Sequence, residues 1–95
     1  MNSFVIRGKV KRFSGKYGWY YVELDRALSE ELRPLLTGSW PAFLKARFNI
    51  NKTSWRSSIM PIKNGLLFIA IPAKIRKSEG ISENSDVEIV FTIEE

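Results

Sequence analysis

Tyr21-Val22-Glu23-Leu24-Asp25, with Leu28 beyond it, and Phe68-Ile69-Ala70-Ile71-Pro72, with Ile75 beyond it, are one pattern met twice, 47 residues apart. Each copy reads as an apolar strand, a capping residue, a short helix, a loop and a returning alternating strand. A repeat of this kind predicts a pseudo-two-fold barrel in which each half covers the open side of the other. The competing reading is that any two strand–helix junctions look alike, and only six positions match.

Working outward, Phe4 to Phe13 alternates. Phe4, Ile6, Gly8 and Val10 share one face, and Val5, Arg7, Lys9 and Lys11 the other, as in a half-buried strand with a basic outer face. Residues 14–18 read as a turn, and Trp19–Leu24 as an aromatic-rich strand. Asp25 is placed to cap a helix whose apolar face is Leu28, Leu32 and Leu35 or Leu36. Pro34 then ends or kinks that helix near Arg33. After a loop at 37–41, Ala42–Asn51 alternates, turns at 51–53, and returns as Ser54–Ile62. Asn64-Gly65 signals a hairpin into the apolar run Leu66–Ile71. Pro72 opens a helix over Ala73–Glu79, with Arg76 and Lys77 in its last turn, and Gly80 stands where a left-handed cap belongs. Asp86–Glu94 is the last strand, with Val87, Ile89, Phe91 and Ile93 inward. Six strands, two short helices and tight turns predict one small β-barrel domain over residues 1–95.

The chain has 95 residues, a net charge of +5, no cysteine and no histidine. Disulfides, thiolate chemistry and the commonest general base and metal ligand are therefore excluded. The longest apolar run, Leu66–Ala73, is far shorter than the roughly 20 residues of a membrane helix, and the N-terminus lacks a signal-peptide pattern. A cytoplasmic protein with no membrane association is expected. Ser57 and Ser58 beside Arg56 have no histidine to activate them. A serine–lysine pair with Lys74 or Lys45 would need a buried lysine. Glu30-Glu31 and Glu94-Glu95 are adjacent carboxylates on a solvated helix and at a terminus, and neither suits a dyad or a metal cage. No phosphate-cradling glycine loop, metal site or cofactor motif is present. A non-enzymatic protein is expected.

Charge is segregated along the chain. Residues 1–22 hold five basic groups and no acid, and 32–78 hold nine and no acid, while 23–31 and 79–95 are acidic. If the first strand and Ala42–Asn51 are neighbours, Arg7, Lys9, Lys11, Lys45 and Arg47, joined by Arg56, form a basic patch suited to nucleic-acid phosphates. Tyr17, Trp19, Tyr21, Trp40 and Trp55 would offer stacking surfaces beside it. The bland alternative is that lysines keep strand edges soluble and the aromatics pack across strands. A third reading makes Trp19, Tyr21, Trp55, Arg56 and Ser58 a ligand-binding cleft, with aromatic walls and one guanidinium to hold an anion. Against it stands a barrel plugged by Trp19 and Trp55, with Arg56 paired to a carboxylate such as Glu23.

Two resemblances add expectations. Ile71 to Ile81, then Asp86-Val87-Glu88-Ile89, within Leu66–Ile93, resembles the C-terminal half of the AbrB/MazE swapped-hairpin family. Those proteins are dimeric DNA-binding regulators and antitoxins, so the resemblance implies a nucleic-acid partner. Asn84-Ser85 here replaces the usual glycine before Asp86. Four blocks cover nearly the whole chain: Phe4…Gly8-x-Val10, Gly18-Trp19-Tyr20-Tyr21-Val22, Trp55-Arg56-Ser57-Ser58-Ile59-x-Pro61 and Ile75-Arg76-x-x-x-Gly80. They resemble the uncharacterised domain-of-unknown-function nineteen-oh-five family. Membership implies a double-split β-barrel related in fold to AbrB, with no settled activity. Asp25, where the family usually has proline, and Ser85 depart from it. A chain carrying both halves should close such a barrel alone, so a monomer is expected, with a dimer optional.

Overall fold

The computed structural model describes residues 3–14, 18–36, 42–62 and 65–94. The turns expected around 15–17, 37–41 and 63–64 lie outside the described residues, as do Tyr17, Trp40 and Glu95. The elements are β1 (Ser3–Lys9), β2 (Lys11–Arg12), β3 (Tyr20–Glu23), α1 (Arg26–Leu32), β4 (Leu44–Ile50), β5 (Thr53–Pro61), β6 (Leu67–Ala70), α2 (Ala73–Glu79) and β7 (Asp86–Ile93). A single turn of 3₁₀ helix, Arg33–Leu35, follows α1.

All strands belong to one antiparallel sheet in the order β1-β7-β4-β5-β6-β3-β2. Its two ends, β1 and β2, are separated in the chain by Val10 alone, so the sheet curls until both edges meet in one interrupted strand. Seven strand segments are thus found where six were expected, because the first strand breaks at Val10. That residue is fully buried, and its backbone leaves the ladder to grip the turn before β7. Its N–H donates to the Ser85 carbonyl at 2.8 Å, and its carbonyl accepts from Asn84 N–H at 2.8 Å. Both buried backbone groups are satisfied at the break.

The repeat is real in the fold. β3 and β6, and α1 and α2, begin and end 47 residues apart. The equivalent strands pair with each other about Val22↔Ile69, and the returning strands pair through Phe48↔Phe91. Leu24 N–H donates to the Leu67 carbonyl at 2.9 Å, and its counterpart Ile71 N–H donates to the Tyr20 carbonyl at 2.8 Å. β1 with β2 plays in one half the part β5 plays in the other.

Local signals act as expected. The Asp25 carboxylate accepts from Leu28 N–H at 2.8 Å and starts α1. Pro34 diverts the chain into the 3₁₀ turn, where Leu36 rather than Leu35 packs on the core. Gly80 closes α2 at φ 65°, the left-handed conformation that glycine adopts without a side-chain clash. Val22, Leu24, Phe48, Ile59, Ile69, Ile71, Ile89 and Phe91 fill the barrel. Beneath α1 sits Ser29, the one polar residue buried among those described. Its hydroxyl accepts from Leu67 N–H at 3.1 Å and donates to the Leu24 carbonyl at 3.4 Å, tying the first helix to a strand of the second half.

Strand order overturns one expectation. β7 lies between β1 and β4, so the first strand and Ala42–Asn51 are not neighbours. β7 brings acids to the outer face of β1, where Arg7 meets Glu88 at 2.6 Å and Lys9 meets Asp86 at 3.2 Å. Lys11 meets Glu23 at 2.5 Å. Part of the charge segregated along the chain is thus paired across the sheet.

Replacing Ser29 with alanine strands the buried Leu67 N–H and is expected to cost about 1–3 kcal/mol, read from urea denaturation. A loss under about 0.5 kcal/mol would mean the hydroxyl does not lock helix to sheet.

Acid sensitivity has a defined source. Hydrogen bonds from Thr53 and Asn51 hold the Glu79 carboxyl below its ordinary range, and Arg56 does so for Glu94. A folded-state value below the unfolded one stabilises fully above the ordinary carboxylate range and is lost as pH falls through the folded value. Urea midpoints should therefore drop as pH falls below about 4.5, and less steeply in Glu79→Gln. Identical slopes would show that the Asn51–Thr53 contact contributes nothing.

Candidate functional site

The site is built where β3 begins and α2 is launched. Ile71 ends its strand, Pro72 sets the extended entry to α2, and Arg76 follows one turn into the helix. Arg76 Nη1 donates to the Ile71 carbonyl at 3.1 Å, and its guanidinium carbon lies 3.8 Å from the centroid of the Tyr20 ring. A guanidinium stacked this closely is held by the ring's quadrupole and by its own backbone hydrogen bond, so its geometry is fixed before any ligand arrives. Arg12, from β2, lies 5.9 Å from the same centroid. Among the described residues no carboxylate pairs with Arg12 or Arg76.

Beside this arrangement opens a groove of about 380 Å³, whose lining includes Gly18, Trp19, Tyr20, Ser57, Met60, Ala70, Pro72 and Arg76. Its lining is mainly apolar. Trp19 is 49% exposed, a large indole left open at the rim.

The repeat supplies an internal control. A second groove, of about 320 Å³, lies at the equivalent place in the other half and includes Gly8, Lys11, Glu23, Leu24, Asp25 and Leu66. Here the helix residue equivalent to Arg76 is Ser29, whose hydroxyl bonds to the Leu24 carbonyl as Arg76 bonds to that of Ile71. Leu67 takes the place of Tyr20. The Lys11–Glu23 pair stands where the first groove has Met60 and Ala70. One backbone has thus made two grooves, one self-neutralised and one apolar with a guanidinium that no described carboxylate pairs.

The five residues expected to form a ligand cleft do not converge. Trp19 alone is in the groove. Tyr21 points to the outer face, stacked on Phe13 at 3.9 Å and edge-on to Phe68. Trp55 packs against Phe48 at 5.4 Å at the margin of the core, and its indole N–H is buried without a partner among the described residues. Arg56 pairs with Glu94 at 2.5 and 3.0 Å rather than with Glu23. Ser58 lies with Lys45, Arg56 and Glu94 in a shallow outer depression. Lys45 faces Ser58 across the ladder and is exposed, without the burial a lysine base requires. Of the basic set, Arg7, Lys9 and Lys11 are paired, while Lys45 and Arg47 share the outer face of β4 with Arg56, opposite Arg47 in the ladder and paired to Glu94.

Sequence reading missed Arg76, Arg12, Tyr20 and Met60 as site residues. The alternation that made Tyr21 attractive leaves Tyr20 facing the groove instead. One signal could have found Arg76: the 47-residue offset sets it against Ser29, an arginine where the other half has a serine.

Among the described residues no helix is long and apolar enough to cross a membrane. No curated protein matches the sequence. The family profile described as Domain of unknown function (DUF1905) matches residues 7–91, most of both halves of the barrel. The chain therefore belongs to the DUF1905 family.

Proposed function

We propose that this domain is a non-catalytic, cytoplasmic binding module that takes a small anionic ligand with an apolar body in the groove beside α2. One observation carries the reading: Arg76 is half-buried, stacked on Tyr20 and free of any described carboxylate, while its counterpart Ser29 is sealed into the core. An unpaired, partly desolvated charge has a cost that a stable fold ordinarily relieves with a partner. A ligand anion would be that partner, and the apolar walls with the exposed Trp19 would receive the rest of it.

A nucleic-acid interface has less support. With Arg7, Lys9 and Lys11 spent on carboxylates, it would rest on Lys45 and Arg47 on the outer face of β4. Two cations give a shallow salt dependence, a log–log slope of about −1.4 on a single strand, and no sequence readout.

The test is an NMR titration with benzoate, phenyl phosphate and a single-stranded oligonucleotide. The aryl anions should shift the Trp19 indole and Met60 methyl signals with dissociation constants on the order of 1 mM or tighter, and Arg76→Ala should weaken binding by about 1.5–3 kcal/mol. Absence of any shift with either anion would sink the proposal. Oligonucleotide shifts confined to Lys45 and Arg47 would move the function to the β4 face.

A further inference from the structure

We infer that the groove selects a phosphate monoester carrying a planar apolar group, because two arginines rather than one address its anion. This rests on the groove being the ligand site. Arg12 and Arg76 come from elements far apart in sequence, yet their guanidinium carbons lie 5.9 and 3.8 Å from the centroid of the one Tyr20 ring. No described carboxylate pairs with either charge: Arg76 lines the groove, and Arg12, not itself in the lining, rests against Gly18, which is. A carboxylate would neutralise one of the two charges. A phosphate monoester carries about −1.5 to −2 at pH 7 and three strong acceptor oxygens, which matches both. Arg76 commits one donor of Nη1 to the Ile71 carbonyl, leaving the rest of its fork for an anion.

Gly18 positions the second arginine. Its backbone is left-handed, at φ 54°, and a Cβ there would lie 2.6 Å from Arg12 Nη2, 2.8 Å from Nε and 3.0 Å from Cζ. The guanidinium therefore rests against bare backbone, and any side chain at residue 18 would both strain the turn and displace Arg12. Trp19, next in the chain, presents its half-exposed indole on the same rim, and Met60 lines the same groove. An aromatic ring on the ligand has a face to stack on, an interaction that tolerates varied rings. The equivalent groove has none of this, since Lys11 is bound to Glu23.

The experiment measures affinities of phenyl phosphate, benzoate and inorganic phosphate by calorimetry, with the Trp19 indole signal as locator, for wild type, Arg12→Gln and Gly18→Ala. Phenyl phosphate should bind on the order of tenfold more tightly than benzoate, and inorganic phosphate more weakly than phenyl phosphate. Arg12→Gln should bring the phosphate-to-carboxylate preference close to about one, and Gly18→Ala should follow it. Arg12 is exposed, so the glutamine variant is expected to fold and decides the matter even if Gly18→Ala does not fold. Equal affinities in wild type, or a preference that survives in Arg12→Gln, would overturn the two-arginine assignment while leaving the groove reading intact. Inorganic phosphate binding as tightly as phenyl phosphate would remove the aromatic part of the inference. Silence of the Trp19 signal toward every aryl anion would remove the groove reading with it.

Discussion

A sheet of this length has two edges, and here both are closed by a single strand that bends at Val10 and pairs on either side. The bend is held because the buried Val10 gives both backbone groups to the 84–85 turn at 2.8 Å. β1 can then add to β7 while β2 adds to β3, so that one bent strand carries both ends of the sheet. The rest follows from closure. With both ends of the sheet in one strand, each half lies against its own counterpart, with Val22 on Ile69 and Phe48 on Phe91, and both helices are launched from equivalent strand ends.

Closure by repetition yields two copies of every surface feature, and the chemistry lies in where the copies differ. The helix position that follows the strand end by five residues donates to the same carbonyl in both halves, as Ser29 in one and Arg76 in the other. Serine is short enough to be sealed under α1, where it also accepts the Leu67 N–H. Arginine is too long to be sealed, and its charge needs water or a partner, so it lies along Tyr20 and faces an open groove. Lys11 and Glu23 meet across one groove, while Met60 and Ala70 leave the other uncharged. A fold that required only closure would have no need of this asymmetry.

Most of the architecture was legible because it depends on local periodicity and end signals. The alternation of Phe4, Ile6, Gly8 and Val10, the Asp25 cap, the Pro34 stop and the left-handed Gly80 each act through a few neighbouring residues. The bend at Val10 was not legible, since that residue looks like any inward strand valine and only the Ser82–Ser85 turn explains its departure from the ladder. Neighbour relations between strands were not legible either. Insertion of β7 between β1 and β4 depends on contacts between chain ends, and it decides that Arg7 and Lys9 meet Glu88 and Asp86. The site suffered from the same limit. Neither Arg56 nor Arg76 has an acid within two residues of it in the sequence, and only the fold shows that Glu94 occupies the first and nothing described occupies the second. Tyr20 and Tyr21 differ by one residue, which in a strand means opposite faces.

The most direct measurement is a crystal structure of the domain soaked with an aryl phosphate at millimolar concentration, in which the two equivalent grooves are compared within one molecule. The account predicts density in the groove between Trp19, Met60 and Arg76, with the anion against Arg76 and the Gly8–Lys11–Glu23 groove empty. Density in the second groove, in both alike, or in neither would contradict the claim that divergence of the repeat made one of them a binding site.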